Sequence, residues 1–114
     1  MTIIADKEKT PVAYLYNHTL VVPGSQEVLG VIIGDCVYGR KGDLKGKYIN
    51  NTIYTYEGEM LAKGNGSTYD SSIDFTAVRQ KSWQILKSIF IHSSPWITPK
   101  NTWARISFPD FLMS

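Results

Sequence analysis

The chain has 114 residues, a net charge of +2, 43% hydrophobic residues and 19% charged residues. This composition is typical of one globular domain (1–114), and it argues against a disordered chain. The small net charge gives no indication of a nucleic-acid or membrane partner. Apolar runs stay well short of the ~20 residues that a membrane span needs. The N-terminal stretch MTIIADKEKTP lacks the apolar core of a secretory signal. We therefore expect a cytoplasmic protein with no membrane partner.

The first half of the chain repeats itself. Val31–Gly46 aligns with Lys47–Ala62 at a shift of sixteen residues, and a weaker copy precedes them at Ala13–Gly30. The matched pairs include Ile33 and Ile49, Val37 and Ile53, Tyr38 and Tyr54, and Gly42 and Gly58. Each copy contains an apolar run, a turn with Asn or Asp, a second apolar run and a turn with Gly. This order predicts one β-hairpin for each copy.

The residues between the apolar runs suit hairpin turns. Gly34-Asp35 and Asn50-Asn51 are typical of tight two-residue turns, because Gly and Asn tolerate positive φ. The repeated glycines after each second run suit the left-handed position of a longer turn. The sequence therefore predicts a mainly β protein of the α+β class, with a meander of about seven strands built from three hairpin-like repeats. The predicted strands within 12–63 are 12–16, 19–22, 28–33, 36–39, 44–49, 52–56 and 59–63.

Small residues recur at one position of the repeat, where Gly30, Gly46 and Ala62 are equivalent. Small side chains in a strand indicate a tight bend or a close approach by another backbone. A meander with such positions can coil and close partly into a small barrel, which also removes exposed strand edges. We expect a coiled sheet or a partly closed barrel.

The composition changes after Gly64–Ser67. Apolar residues then recur at spacings of three and four, which predicts one amphipathic helix over 74–90 with Asp74 among its candidate N-caps. The remaining segment, 91–114, contains prolines and aromatic residues, and proline excludes a long helix there. Ala104–Phe108 is a candidate for one more strand.

Four aromatic residues of this tail are candidates for an interaction surface: Trp96, Trp103, Phe108 and Phe111. Large aromatic residues are enriched at the buried centres of protein interfaces. They could dock on another subunit, or they could complete the core of their own small domain. The first alternative makes the protein a structural or protein-interaction module that self-associates as a homo-oligomer or binds another protein, without a cofactor.

A second hypothesis concerns basic and aromatic residues around the middle repeat: Arg40, Lys41, Lys45, Lys47 and Tyr48. Such a face could bind single-stranded nucleic acid by base stacking and phosphate contacts. The tyrosines nevertheless recur at repeat positions, as packing residues would, and nearby acidic residues reduce the charge.

Enzymatic chemistry has the least support in the sequence. Cys36 could act as a nucleophile only beside a histidine, and the chain has just His18 and His92. These histidines show no paired ligand spacing with Asp35 or Asp70, so no metal site is predicted. The single cysteine excludes an intramolecular disulfide. We therefore predict no catalytic residues and no metal or other cofactor, and we do not expect an enzyme.

Overall fold

The computed structural model of the chain describes residues 1–89 and 94–113. Within these residues the chain forms eight antiparallel strands that close into a barrel in sequence order, followed by two helices. The strands are β1 (Thr2–Ala5), β2 (Pro11–Tyr16), β3 (Thr19–Val21), β4 (Val28–Ile33), β5 (Cys36–Gly39), β6 (Leu44–Ile49), β7 (Thr52–Tyr54) and β8 (Met60–Ser67). The helices are α1 (Phe75–Ser88) and α2 (Phe108–Met113). The mainly β prediction with a C-terminal helix is confirmed.

Strand β1 was not among the seven expected strands and is the eighth strand of the barrel. It pairs with β2 on one side and with β8 on the other, and so it closes the barrel. With the turn that follows it, β1 adds part of a fourth copy before the three predicted repeats. In this copy Lys9, with φ of 65°, stands where Gly42 and Gly58 stand in later copies. Because Lys9 replaces the repeated glycine, the sequence pattern does not reveal the first hairpin.

Backbone hydrogen bonds show the fourfold repetition directly. At one end of the barrel each copy has a longer turn, closed by an amide that donates to a carbonyl four or five residues later. The four N–O distances are 3.0 Å for Asp6 to Thr10, and 2.9 Å for Val22 to Glu27, Gly39 to Asp43 and Thr55 to Glu59. At the other end are the two-residue turns, where Asn50 and Asn51 both have positive φ, as their sequence predicts.

The interior of the barrel repeats the same pairing of large and small residues. Ile4, Leu20, Val37 and Ile53 occupy equivalent positions, and each is fully buried. Their partners on the neighbouring strands are Ala13, Gly30, Gly46 and Ala62. A Cβ added at Gly30 would lie 2.1 Å from the carbonyl oxygen of Tyr38, which confirms the predicted close approach. The filled centre leaves the outer wall and the ends of the barrel as places for binding sites.

Helix α1 covers the outer wall around β3 and β4. Asp74 is its N-cap, and its carboxylate accepts hydrogen bonds from the amides of Thr76 and Ala77. Val78 and Ile85 are the buried residues of α1 and pack on the barrel. The predicted helix 74–90 therefore corresponds to α1, although residue 90 lies outside the described residues. Neither described helix is long and apolar enough to cross a membrane.

The tail packs on the wall at β7 and β8 and on the core of the barrel. Its Ile97 is buried in a cluster with Tyr54 and Met60, while Phe108 and Leu112 of α2 belong to the core of the barrel. The strand expected at Ala104–Phe108 is wrong: the described tail makes a single-residue bridge from Trp103 to Met60 and then begins α2. Ser107 favours this helix, because its hydroxyl accepts a hydrogen bond from the amide of Asp110, as an N-cap does.

Candidate functional site

The strongest candidate site is a cleft between β6 and residues 94–99, which we call the Trp96 cleft. It has a volume of about 410 Å³. Its apolar walls are formed by Ile49, Pro95, Trp96, Ile97 and Pro99, and its polar side by Asp35, Lys47, Tyr48 and Ser94. Trp96 stands at the rim with 90% of its surface exposed. An exposed indole beside an apolar cleft is a candidate anchor for an interface, because tryptophan is enriched among the residues that contribute most to binding.

A buried lysine holds the tail segment onto the barrel beside this cleft. The Nζ atom of Lys47 lies 2.9 Å from the Asp35 carboxylate and 2.6 Å from Oγ of Ser94. The Ser94 hydroxyl in turn donates to the same carboxylate oxygen at 3.0 Å. Only 4% of the Lys47 side chain is exposed, against 46% for Asp35. These contacts fix the backbone immediately before Pro95 and Trp96.

The electrostatics of this cluster favour a structural role. The hydrogen bond from Lys47 lowers the pKa of Asp35 below its ordinary value, so the carboxylate stays charged at neutral pH. Lys47 donates to Oγ of Ser94, and the hydroxyl proton of Ser94 points to Asp35, so Lys47 is not placed to accept that proton. A lysine beside a serine can otherwise activate a nucleophile, but this pair does not have that arrangement.

Cys36 lies next to the cluster, with its sulfur 3.5 Å from the Asp35 carboxylate. It is fully buried, and this burial raises the pKa of its thiol. A buried, protonated thiol is a poor nucleophile. His18 is exposed in a two-residue turn, and His92 lies outside the described residues. Among residues 1–89 and 94–113, no group of three His, Cys, Asp or Glu residues could hold a metal ion.

The four tail aromatics expected at an interface have different environments. Phe108 is 2% exposed, and Phe111 packs partly buried against the same core. Trp103 is half-buried, with Nζ of Lys63 5.7 Å from the centre of its ring. These three residues pack on the protein's own core and wall. The sequence had left this open as the alternative to docking on another subunit. Trp96 alone of the four keeps a large exposed surface.

The five residues of the predicted nucleic-acid face are not brought together in one exposed patch. Lys47 is buried under the tail, and Lys45 pairs with Asp43 at 2.8 Å. Tyr48 packs against the barrel core and donates to the side chain of Asn51 at 3.0 Å. The other two residues, Arg40 and Lys41, are exposed in the turn between β5 and β6.

Sequence reasoning missed one contact of the site and one exposed residue elsewhere. It did not find the contact between Lys47 and Ser94, because 47 residues separate them along the chain. It also did not single out Trp83, which lies on the solvent side of α1 and is 62% exposed. The helical spacing could have revealed Trp83, since it lies outside the apolar stripe.

Comparisons with known protein families, curated proteins and solved structures find no match.

Proposed function

We propose that the protein is an interaction module that self-associates through the Trp96 cleft. The observation that carries this proposal is the position of Trp96, which is 90% exposed beside an apolar cleft. Burial of a tryptophan side chain removes roughly 150–250 Å² of surface from water, a large part of what a small interface needs. An exposed indole and a cleft in one patch therefore form a complementary pair.

A second copy of the chain is the partner that this geometry favours. In a twofold symmetric dimer, the same patch of both copies meets across the axis. Such an axis beside the rim of the cleft would place Trp96 of each copy in the cleft of the other. The cleft volume of about 410 Å³ is large enough for an indole ring. Both aromatic side chains would be buried by one symmetric contact.

The charges beside the cleft are compatible with an apolar partner. Lys47 and Asp35 neutralise each other at 2.9 Å, so the polar side of the cleft has no net charge from this pair. The cores of protein interfaces are depleted of uncompensated charge. This compensation favours a protein partner over a nucleic acid strand, which requires free cations along its path.

The experiment is a measurement of oligomeric state by sedimentation equilibrium across a concentration range. The wild-type protein is expected to dimerise, and Trp96→Ala is expected to weaken the dimer by at least about 30-fold, as for an interface hot spot. Trp83→Ala is the matched control, because it removes another exposed indole, on α1, outside the cleft. This variant should dimerise like the wild type.

Two results would overturn the proposal. One is a wild-type protein that stays monomeric at high micromolar concentration. The other is a dimer that survives Trp96→Ala unchanged and is lost in Trp83→Ala, which would place the interface on α1. Circular dichroism of both variants checks that the fold is retained.

A further inference from the structure

A second concave site lies where the turn between β5 and β6 meets α1. We call it the basic pocket, and its volume is about 350 Å³. Its polar lining is formed by Glu27, Arg40, Lys41, Lys81, Gln84 and Ser88. Cations from the turn and from the helix thus converge on one cavity, although they are about 40 residues apart in the sequence.

The two sides of this pocket are held rigidly together. A Cβ added at Gly42 would lie 2.3 Å from Oγ of Ser88 and 3.0 Å from its backbone carbonyl, so the turn packs directly on the end of α1. Val28 and Ile85, which are 4% and 6% exposed, form the apolar part of the pocket wall. The backbone that carries the cations is therefore preorganised, which lowers the entropy cost of binding a ligand.

The pocket retains positive charge that is not neutralised. It contains three cations and one carboxylate, Glu27, which forms an ion pair with Arg40. The Nζ atom of Lys81 makes only a long contact, 3.4 Å, to the carbonyl oxygen of Gln26. Lys41 is exposed at the rim. The pocket therefore carries a net charge of +2, equal to that of the whole chain.

These cations belong to one copy of the repeat and not to the repeat itself. The equivalent turn of the next copy has Tyr56-Glu57 where this turn has Arg40-Lys41. Both turns fold with the same hydrogen bonds, 2.9 Å at Gly39 to Asp43 and 2.9 Å at Thr55 to Glu59. Folding of the turn therefore does not require the basic pair, which leaves it available for another role.

We propose that the basic pocket binds a small phosphate-bearing ligand. A phosphate group offers several acceptor oxygens and up to two negative charges, which suit the fork of Arg40 and the ammonium groups of Lys41 and Lys81. Val28 and Ile85 line the pocket with only a small exposed apolar area, so an organic group attached to the phosphate must be small. The volume lies within the usual range of small-molecule sites, roughly 300–1,000 Å³.

The test is a titration of the ¹⁵N-labelled protein at constant ionic strength, monitored by amide chemical shifts. Inorganic phosphate, glycerol 3-phosphate and glycerol are the probes. Saturable shifts at residues 40, 41, 81 and 84 are expected with the two phosphates and not with glycerol. Tighter binding of glycerol 3-phosphate identifies an ester as the ligand, and equal binding identifies free phosphate; both outcomes support the site.

Variants then separate a built site from general charge attraction. Arg40→Gln and Lys81→Gln should each weaken phosphate binding by at least about tenfold, the effect of losing one charge-assisted contact. Arg79→Gln is the matched control, because it removes an exposed cation of α1 outside the pocket. Glu27→Gln should tighten binding severalfold, since Arg40 then has no competing carboxylate.

The proposal fails if neither phosphate gives saturable shifts at millimolar concentration. It also fails if Arg79→Gln weakens binding as much as Lys81→Gln does. In either case the cations of the pocket would not form a specific phosphate site.

Discussion

The pair formed by Lys47 and Asp35 allows a quantitative test of how the tail is attached. At 2.9 Å and an effective dielectric constant of about 20, the attraction between the two charges is ~6 kcal/mol. The lost hydration of Lys47, whose side chain is 4% exposed, offsets most of this energy. Asp35 is 46% exposed and remains partly hydrated, which weakens the pair further. We expect a net coupling of about 1–2 kcal/mol, at or below the lower end of the ~1.5–3 kcal/mol of charged hydrogen bonds, because Asp35 is partly exposed.

A double-mutant cycle with Lys47→Met and Asp35→Asn isolates this coupling, with the free energy of unfolding measured in urea at pH 7. Methionine keeps an unbranched apolar side chain in the buried position. The exposed pair Arg40 and Glu27, at 36% and 49% exposure, is the control and should give a coupling below about 0.5 kcal/mol. A Lys47–Asp35 coupling below about 0.3 kcal/mol would refute the reasoning.

The pH dependence of the same coupling has a defined sign. The pKa of Asp35 is lower in the native protein than its ordinary value of about 3.9. Its contribution to stability is therefore fully present above that value and is lost as the pH falls through the lower native pKa. We expect a constant coupling from pH 7 to about 5 and a decrease toward zero in more acidic solution. A coupling that changes between pH 5 and 7 would assign the titration to another group.

Two further predictions concern the barrel. Gly46→Ala should lower the free energy of unfolding in urea by about 1–3 kcal/mol, because the new Cβ would lie 2.2 Å from the carbonyl oxygen of Tyr54. The reverse change at the equivalent Ala62, to Gly, should cost less, about 0.5–1 kcal/mol, and equal costs would contradict the close approach. Cys36 should react with iodoacetamide at pH 8 at least about 100-fold more slowly in the native protein than in urea, because the thiol must first become exposed. Alkylation of the native protein at the rate of a free thiol would contradict the burial of the Cys36 side chain.

The sequence predicted the hairpins well because their signals are local. Asn50-Asn51 and Gly42 adopt the positive φ values expected from their residue types. The missing strand β1 had no such signal, since Lys9 adopts φ of 65° without being Gly or Asn. Barrel closure depends on pairs such as Ile4 with Gly64, which are sixty residues apart. Local periodicity contains no information about such a contact.

The candidate site was harder to predict than the fold. Strand alternation places Lys47 on the outer wall, where a lysine is normally exposed, and the covering by Ser94 is a long-range contact. The opposite problem applies to the tail aromatics. Their composition suggests an interface, yet Phe108 fills the core of the barrel. The sequence could not divide these residues between core and surface, because proline-rich segments have no periodicity from which a buried face can be read.

The distribution of repeated and unrepeated residues supports the location of both proposed sites. One outer-wall position holds Tyr14, Val31, Lys47 and Lys63 in the four copies. Val31 is buried in the cluster that includes residues of α1. Lys47 lies beneath the tail segment that contains Ser94. Lys63 is exposed beside Trp103. The interior positions, in contrast, differ little in size among the copies. All four copies place large and small residues at the same interior positions. The copies therefore differ in residue type mainly on the outer wall, where the C-terminal segments pack. The Trp96 cleft and the basic pocket both lie at such junctions, and neither could form from the repeats alone.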